Sequence, residues 1–423
     1  MKTLLIADDL TGALDSGVQF SKKKISTTVY LGIEESINSY SEVVIINSNS
    51  RHDNPQIAYN KVANILEKHA NQFDLIFLKT DSGLRGNISA TLKAGIDVLQ
   101  ETLAFVPAYP SVNRKTIDGT HYINGQLLQH SIFKNDLSRL SSSHVIDIIN
   151  QDYQVPAQLI GKNEVYSYLV QGQGKNLVNV YDCDSLSHLE SIVKTLQTKG
   201  RLTFIAGCAD LAHIISEKIY ANIANREIVG NVLNGPMLLI NGSINQVSLS
   251  QINKAKVQGK AIIKVNSDLL FHKDISIPFK KLKDELVNEL RQSKFVLLTS
   301  VMNEKDIIQL KQLAESYHIS GRDLAANIQK KINMIVKSVY SEIFIEKLVI
   351  FGGETAMGVL ETLEIKDLIP IGEVSMGIPY AIAMHGENKI RIITKSGALG
   401  EEDIINDIEQ YLNQFSSFME GTI

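Results

Sequence analysis

Cysteine is scarce in this chain: of 423 residues only Cys183 and Cys208 carry a thiol. They lie far apart, without the paired spacing of a structural zinc site, and a reducing compartment is the expectation. A basic field is absent as well. The formal net charge is -4, so non-specific nucleic-acid binding is not expected. Long apolar runs are missing too. The opening "MKTLLIADDLTG" offers only about four apolar residues before two Asp, too few for a signal peptide or a membrane span. A cytoplasmic chain with no membrane partner is expected. Several signatures are lacking: there is no Walker A sequence and no kinase-type glycine-rich loop. After the first apolar run "DDLTGA" stands where a nicotinamide enzyme wants Gly-x-Gly-x-x-Gly, and its acids would repel a pyrophosphate. A haloacid-dehalogenase loop, Asp-x-Asp-x-Thr, fails in both registers, because Ala7 or Leu10 takes the place of one Asp.

What remains is the balance of a soluble globular protein, 44% apolar and 21% charged, in a chain too long for one ordinary core. Short β-rich apolar runs recur at 3–7, 42–47, 74–79, 102–108, 177–182 and 202–207. A second series follows at 237–242, 261–266, 294–300, 347–353 and 390–397. Helix-length segments separate them, which predicts βα units and a mainly parallel sheet in each half. The stretch 225–236, "NREIVGNVLNGP", reads as a linker. The partition is then a substrate domain at 1–228 and a nucleotide domain at 236–423, both α/β, with the active site expected in the cleft between them. Within 108–140 the helical pattern stops, and "TIDGTHYINGQLL" predicts a hairpin turning at Asp118-Gly119 or Asn124-Gly125.

Ligands of open α/β sheets bind at the carboxyl ends of the strands. In the first half those ends carry Asp8 and Asp9, then Arg51, then Lys79, Asp81, Ser82 and Arg85 in "LIFLKTDSGLRGN". One Asp of the first pair also suits an N-cap for a helix beginning near Gly12. A lone Arg51 also reads as a solvated charge, and His121 as structural. Pooled, the carboxylates, hydroxyls and guanidinium groups suit a small polyhydroxylated anion, because Arg forks a carboxylate and Asp accepts from hydroxyls. The second half differs. Gly242-Ser243, then Gly352, Gly353 and Thr355, then Gly397 and Gly400 each follow an apolar run and precede a helical one. Open amides at helix N-termini receive phosphate. An anion site in one half and a phosphate site in the other describe a kinase, whose domains close and exclude water.

The motifs "IADDLTGALDSGVQF", "KTDSGLRGN", "PAYPSVNRKTIDGTHYINGQLL", "NGSINQVSLSQI", "FGGETA" and "ITKSGALGEEDI", in this order along nearly the whole chain, resemble the four-carbon acid sugar kinase family. The resemblance implies ATP-dependent phosphorylation of the 4-hydroxyl of a tetronate. Asp9, Gly12, Arg51 and Asp81, Ser82, Gly83, Leu84 and Arg85 fall on its substrate positions, with Asp9 and Asp81 as catalytic candidates. Ser243, Gly352, Gly353, Glu354, Thr355 and Gly397 fall on its ATP positions. Arg85 resembles the D-threonate branch, where the 3-oxo-tetronate branch has Lys, so D-threonate leads and D-erythronate follows. Three positions depart from the pattern: Gly83 for Thr, Glu354 for Asp, and Ser111 to Asn113 for Ala-Ala-Gly. Arg51 or Arg85 is expected on the substrate carboxylate, while Asp9 or Asp81 orients hydroxyls and takes the proton. Mg²⁺ is expected with the ATP phosphates, without a clear protein ligand, and a homodimer is implied at the family level. The competing readings are a non-catalytic sugar-acid sensor and a kinase of another small hydroxy acid.

Overall fold

The computed structural model describes residues 1–33, 37, 40–133, 142–162, 164, 176–220, 235–271 and 275–417. The chain forms two compact units, Met1–Arg226 and Glu227–Ile423. Of the stretch read as a linker, all but Gly235 and Pro236 lies outside the described residues.

In the first unit the strands are β1 (Thr3–Ala7), β2 (Thr27–Tyr30), β3 (Val43–Asn47), β4 (Leu75–Lys79), β5 (Leu103–Val106), β6 (Arg114–Ile117), β7 (Thr120–Ile123), β8 (Gln126–Leu127), β9 (Ala157–Ile160), β10 (Val178–Tyr181) and β11 (Phe204–Gly207). The main sheet runs β2-β3-β1-β4-β11-β5-β10-β9, and its pairs are parallel. β1, β3 and β4 are buried along their whole length, as strands covered on both faces must be. Alternate side chains serve the two faces. Leu4, Ile6, Ile46 and Leu78 join Val62, Ile65 and Leu92 in one core cluster. The last two helices contributing there are α2 (Pro55–His69) and α3 (Ile88–Leu99), which pack together. The other face belongs to α1 (Leu10–Ser21), packed on the helix Ala209–Ile219. α1 is capped by Asp9, whose Oδ1 accepts Gly12 N at 2.7 Å, so the helix starts two residues before Gly12.

β6, β7 and β8 form a separate antiparallel sheet. Both turns foreseen for a single hairpin exist: Asp118-Gly119 and Asn124-Gly125 each hold two successive positive φ angles, the type I′ geometry that Asp-Gly and Asn-Gly tolerate. β2 and β9 join the main sheet unforeseen.

In the second unit the strands are β12 (Met237–Asn241), β13 (Ile262–Lys264), β14 (Phe295–Thr299), β15 (Lys347–Phe351), β16 (Asp367–Ser375), β17 (Ile378–His385) and β18 (Asn388–Lys395). Their order is β13-β14-β12-β15-β18-β17-β16. The first pairs are parallel, whereas β17 runs antiparallel to both neighbours. The ribbon β16–β17 was not foreseen. No helix among the described residues is long and apolar enough to cross a membrane.

Candidate functional site

The central strands of the first unit end level: Ala7 of β1 is opposite Asn47 of β3 and Lys79 of β4. The turns that follow therefore lie side by side, where the strand order reverses about β1. Arg51 closes them into one cluster. Its Nε and Nη2 fork the Asp8 carboxylate at 2.9 and 2.7 Å. Its Nη1 donates to Asp9 Oδ2, and Nη2 stands 3.6 Å from Asp81 Oδ1. Arg85 makes a second fork, Nε and Nη2 each 2.9 Å from an Asp81 oxygen. Gly83 N adds a bond to Asp81 Oδ2 at 2.9 Å. Asn87 pins the Arg51 turn, with Nδ2 donating to Ser50 O at 2.7 Å and Asp53 O at 3.0 Å. Leu84 completes the "DSGLR" turn at a φ of 52° while its side chain is buried.

The carboxylates differ in state. Burial raises the Asp8 pKa, and the opposing pull of Arg51 does not cancel it. Burial would raise Asp81 too, but Arg51, Arg85 and Arg114 hold it well below the usual carboxylate range. Asp81 thus stays ionised with both oxygens engaged. Asp9 is the most open of the three, its side chain 22% exposed against 8% for Asp8 and 9% for Asp81. A buried ionic network of this kind is weak evidence for stability, since desolvation opposes the Coulomb gain. Its natural reading is a site.

The expected substrate residues Asp9, Gly12, Arg51 and Asp81 to Arg85 are thus brought together. The fold adds others. Arg114, the first residue of β6, donates to Ser82 Oγ. His121 of β7 is fully buried, with Nε2 3.0 Å from Ser82 O and Nδ1 3.0 Å from Thr116 Oγ1. Burial lowers its pKa to about 4, so the neutral ring donates from Nε2 to the carbonyl. Phe133 lies under both Arg85 and Arg114, 4.5 and 5.2 Å from ring centre to guanidinium carbon. A Cβ on Gly83 would come within 2.7 Å of that ring, so the glycine is what admits the phenylalanine. Lys79, at the end of β4, is 5% exposed. Hairpin and loop contacts of this kind have no periodic signal; only the break in helical pattern after 108 pointed to the segment.

The second unit repeats the level ending: Asn241 of β12 faces Thr299 of β14 and Phe351 of β15, and Phe351 faces Lys395 of β18. Gly242 N donates to Phe351 O at 2.9 Å, and Gly352 N to Lys395 O at 2.8 Å. The turns are packed too closely for side chains. A Cβ on Gly242 would overlap Thr355 Oγ1, and one on Gly397 would overlap Ser243 Oγ. Gly352 takes a φ of 110° as it enters the helix Gly353–Thr362, a conformation that L side chains avoid. Ser243, Gly352 to Thr355 and Gly397 therefore line one cradle, with Glu354 in the first turn of that helix. Lys395 ties the last turn together: its ammonium reaches Ser396 O and Leu399 O at 3.0 Å, Ser248 Oγ at 3.3 Å and Gly397 O at 3.4 Å. Burial draws its pKa down to about 7. Beside the β12 and β14 ends lies a cavity of about 610 Å³, lined by Gln246, Leu249, Met302 and Asn303 among others. Glycine turns with no room for a Cβ at Gly242 and Gly397, beside a helix N-terminus, fit a phosphate chain. Among the described residues no three His, Cys, Asp or Glu are placed to hold a metal ion.

Comparison with known proteins follows the same division. Residues 3–215 match the model of a sugar-binding N-terminal domain, and 238–405 that of a nucleotide-binding C-terminal domain. A D-threonate kinase of Salmonella typhimurium is 23% identical over 98% of this chain and 99% of its own. A D-erythronate kinase of Heliobacterium modesticaldum is 25% identical over 97% and 96%. A 3-oxo-tetronate kinase of Brucella melitensis is 23% identical over 98% and 96%. A Salmonella typhimurium crystal structure bearing a tRNA synthase name superposes at a TM-score of 0.82 with 19% identity, covering 97% of this chain and 99% of its own; at that identity the likeness is one of fold. The matched domains span most of the chain, in order, and this chain belongs to the four-carbon acid sugar kinase family.

Proposed function

We propose that this protein is an ATP-dependent kinase that phosphorylates the terminal hydroxyl of a four-carbon sugar acid, D-threonate first and D-erythronate next. One observation carries the reading: in the first unit the carboxylates of Asp8, Asp9 and Asp81 are bound by Arg51 and Arg85, while Arg114 and Lys79 stand at the same turns bonded to Ser82 Oγ and Thr80 O. The excess of one positive charge complements a single carboxylate. Arg51 and Arg85 are forked by Asp8 and Asp81, whereas the Arg114 guanidinium has only Ser82 as a hydrogen-bond partner among the described residues. Arg114, with Arg85 beside it on Phe133, takes the substrate carboxylate.

Asp9, Gly12, Arg51 and the segment Asp81 to Arg85 line the rest of the acceptor site. Asp9 accepts the proton of the attacking hydroxyl. It is the most open of the three carboxylates, while Asp81 is held ionised by Arg51, Arg85 and Arg114 and acts by orienting the arginines. Ser243, Gly352, Gly353, Glu354, Thr355 and Gly397 hold the nucleotide phosphates, with the first-turn amides of Gly353–Thr362 as donors. Mg²⁺ accompanying the ATP phosphates would need few protein ligands and would supply charge neutralisation there; among the described residues no three His, Cys, Asp or Glu are placed to hold it. Support comes from the curated relatives named as kinases of D-threonate, D-erythronate and 3-oxo-tetronate. The test is ADP release with D- and L-threonate, D- and L-erythronate and 3-oxo-tetronates. Turnover highest with D-threonate is expected. ATP binding without turnover of any of them overturns the reading in favour of a sensor or another hydroxy acid.

A further inference from the structure

Lys79 has so far been counted only as a charge. It closes β4 with its ammonium buried, and the only partner of that group among the described residues is Thr80 O at 2.7 Å. No carboxylate pairs with it. The remaining N–H groups sit in a particular place. Nζ lies 3.3 Å, and Asp9 Oδ1 2.8 Å, from the one point where a Cβ on Gly12 would be. A cation is thus pressed against the first turn of α1, whose free amides already make that end positive. The first bond of the helix runs from Ala13 N to Asp9 O, and Gly12 N is taken by the Asp9 side chain. The amides of Leu10 and Thr11 precede it and are the open donors. Burying a cation beside a helix N-terminus is unfavourable in the empty protein when the carboxylate there, Asp9, bonds Gly12 N and Arg51 rather than the ammonium. An anion between them makes it favourable.

We propose that Lys79, with the opening amides of α1, forms the phosphoryl-receiving end of the acceptor site. This rests on the kinase reading. The acceptor hydroxyl oxygen forms its bond to the γ-phosphorus of ATP while the bond from that phosphorus to the bridging oxygen breaks. The electron pair leaves on ADP, and the hydroxyl proton goes to Asp9. Lys79 contacts a non-bridging oxygen during the transfer and holds the resulting phosphate monoester until release. Asp9 and Lys79, flanking one point, place the proton acceptor and the cation on either side of the reacting oxygen. Arg114 marks the opposite, carboxylate end.

Two measurements on the full chain test it. Inorganic phosphate, compared with chloride at equal ionic strength, raises the Tm of the wild type, and Lys79→Met diminishes that shift, leaving only what the second-unit cradle contributes. In ADP release, Lys79→Met lowers kcat about 100-fold while KM for the acid changes less than about threefold, the pattern of a contact made mainly in the transition state. Gly12→Ala, which keeps Lys79 but fills the point between it and Asp9, shows the same split, and decides the matter if Lys79→Met fails to fold. A wild-type kcat, or an undiminished phosphate shift, in a folded Lys79→Met protein overturns the proposal; if Lys79→Met does not fold, the same results in Gly12→Ala do. A wild type that turns over no tetronate yet shows the Lys79-dependent phosphate shift overturns the kinase reading and leaves the anion site standing.

Discussion

Lys79 and Lys395 occupy matching places in the two units. Each is the last residue of its strand, β4 or β18, each is almost without exposure, at 5% and 1%, and each lies under a glycine-bearing turn. Their surroundings are opposite. Lys395 reaches four acceptors and the face of Phe351, 4.4 Å from the ring centre, so its donors are engaged in holding a turn. Lys79 reaches one. A buried ammonium with a full shell is a structural cation, doing for the Ser396–Leu399 turn what a bound monovalent ion would do. One with open donors is prepared for a ligand.

The sharpest way to break this comparison is to remove both charges and measure stability. Lys395→Met leaves several buried carbonyls without a donor and is expected to cost about 4 kcal/mol in urea unfolding at pH 6, where the ammonium is protonated. Lys79→Met loses a single backbone bond and relieves an unpaired buried cation. Its stability should stay within about 1 kcal/mol of wild type. Equal losses would mean that Lys79 is structural as well.

Legibility in the sequence followed the same divide between what a strand end supplies and what the fold carries to it. β1, β3, β4, β12, β14 and β15 announce themselves as continuous apolar runs because parallel strands are buried on both faces. The polar residues that follow them could therefore be read as standing at the strand ends within each unit. β2 (TTVY) and β9 (AQLI) are short and partly polar, and the bulged β16 carries Pro370 and Gly372 at its register shifts, so their patterns did not stand out. Arg114, His121 and Phe133 reach Ser82 or Arg85 through a hairpin and its following loop. Nothing local couples them to a segment more than thirty residues earlier; the contact is a product of tertiary folding. Lys79 was visible as a charge at a strand end, but its being buried with a single ammonium partner, Thr80 O, is a product of tertiary folding.

The acid limb of the stability curve is a second, smaller effect, on the Lys79 side. The folded-state pKa of His121 is about 4, below the ordinary value near 6.5 that the unfolded chain has. Between these values the unfolded chain binds the extra proton. Stability contributed by the neutral ring is therefore full above pH 6.5 and is lost as pH falls toward 4, by about 3 kcal/mol. His121→Gln, which keeps a donor for Ser82 O, should flatten that limb in unfolding at pH 7, 5.5 and 4.5. An unchanged limb would separate the hairpin from the acid transition, and with it the claim that His121 steadies the Ser82 turn beneath the acceptor site.

The smallest expected effect compares the glycines of the two units. A Cβ on Gly83 presses on the Phe133 ring and pushes it from beneath Arg85 and Arg114. Gly83→Ala should raise KM for the acid about tenfold, on the order of 1.4 kcal/mol, and leave KM for ATP unchanged. Adding Phe133→Leu should recover part of the loss by opening the space. Gly242→Ala drives a Cβ into Thr355 and should do the converse, raising KM for ATP and sparing the acid. The two variants test whether the turns act separately. Should Gly83→Ala weaken ATP as much as it weakens the acid, the acceptor turn and the phosphate cradle would be coupled, and the contrast between a ligand-seeking Lys79 and a turn-holding Lys395 would have to be drawn across one shared site.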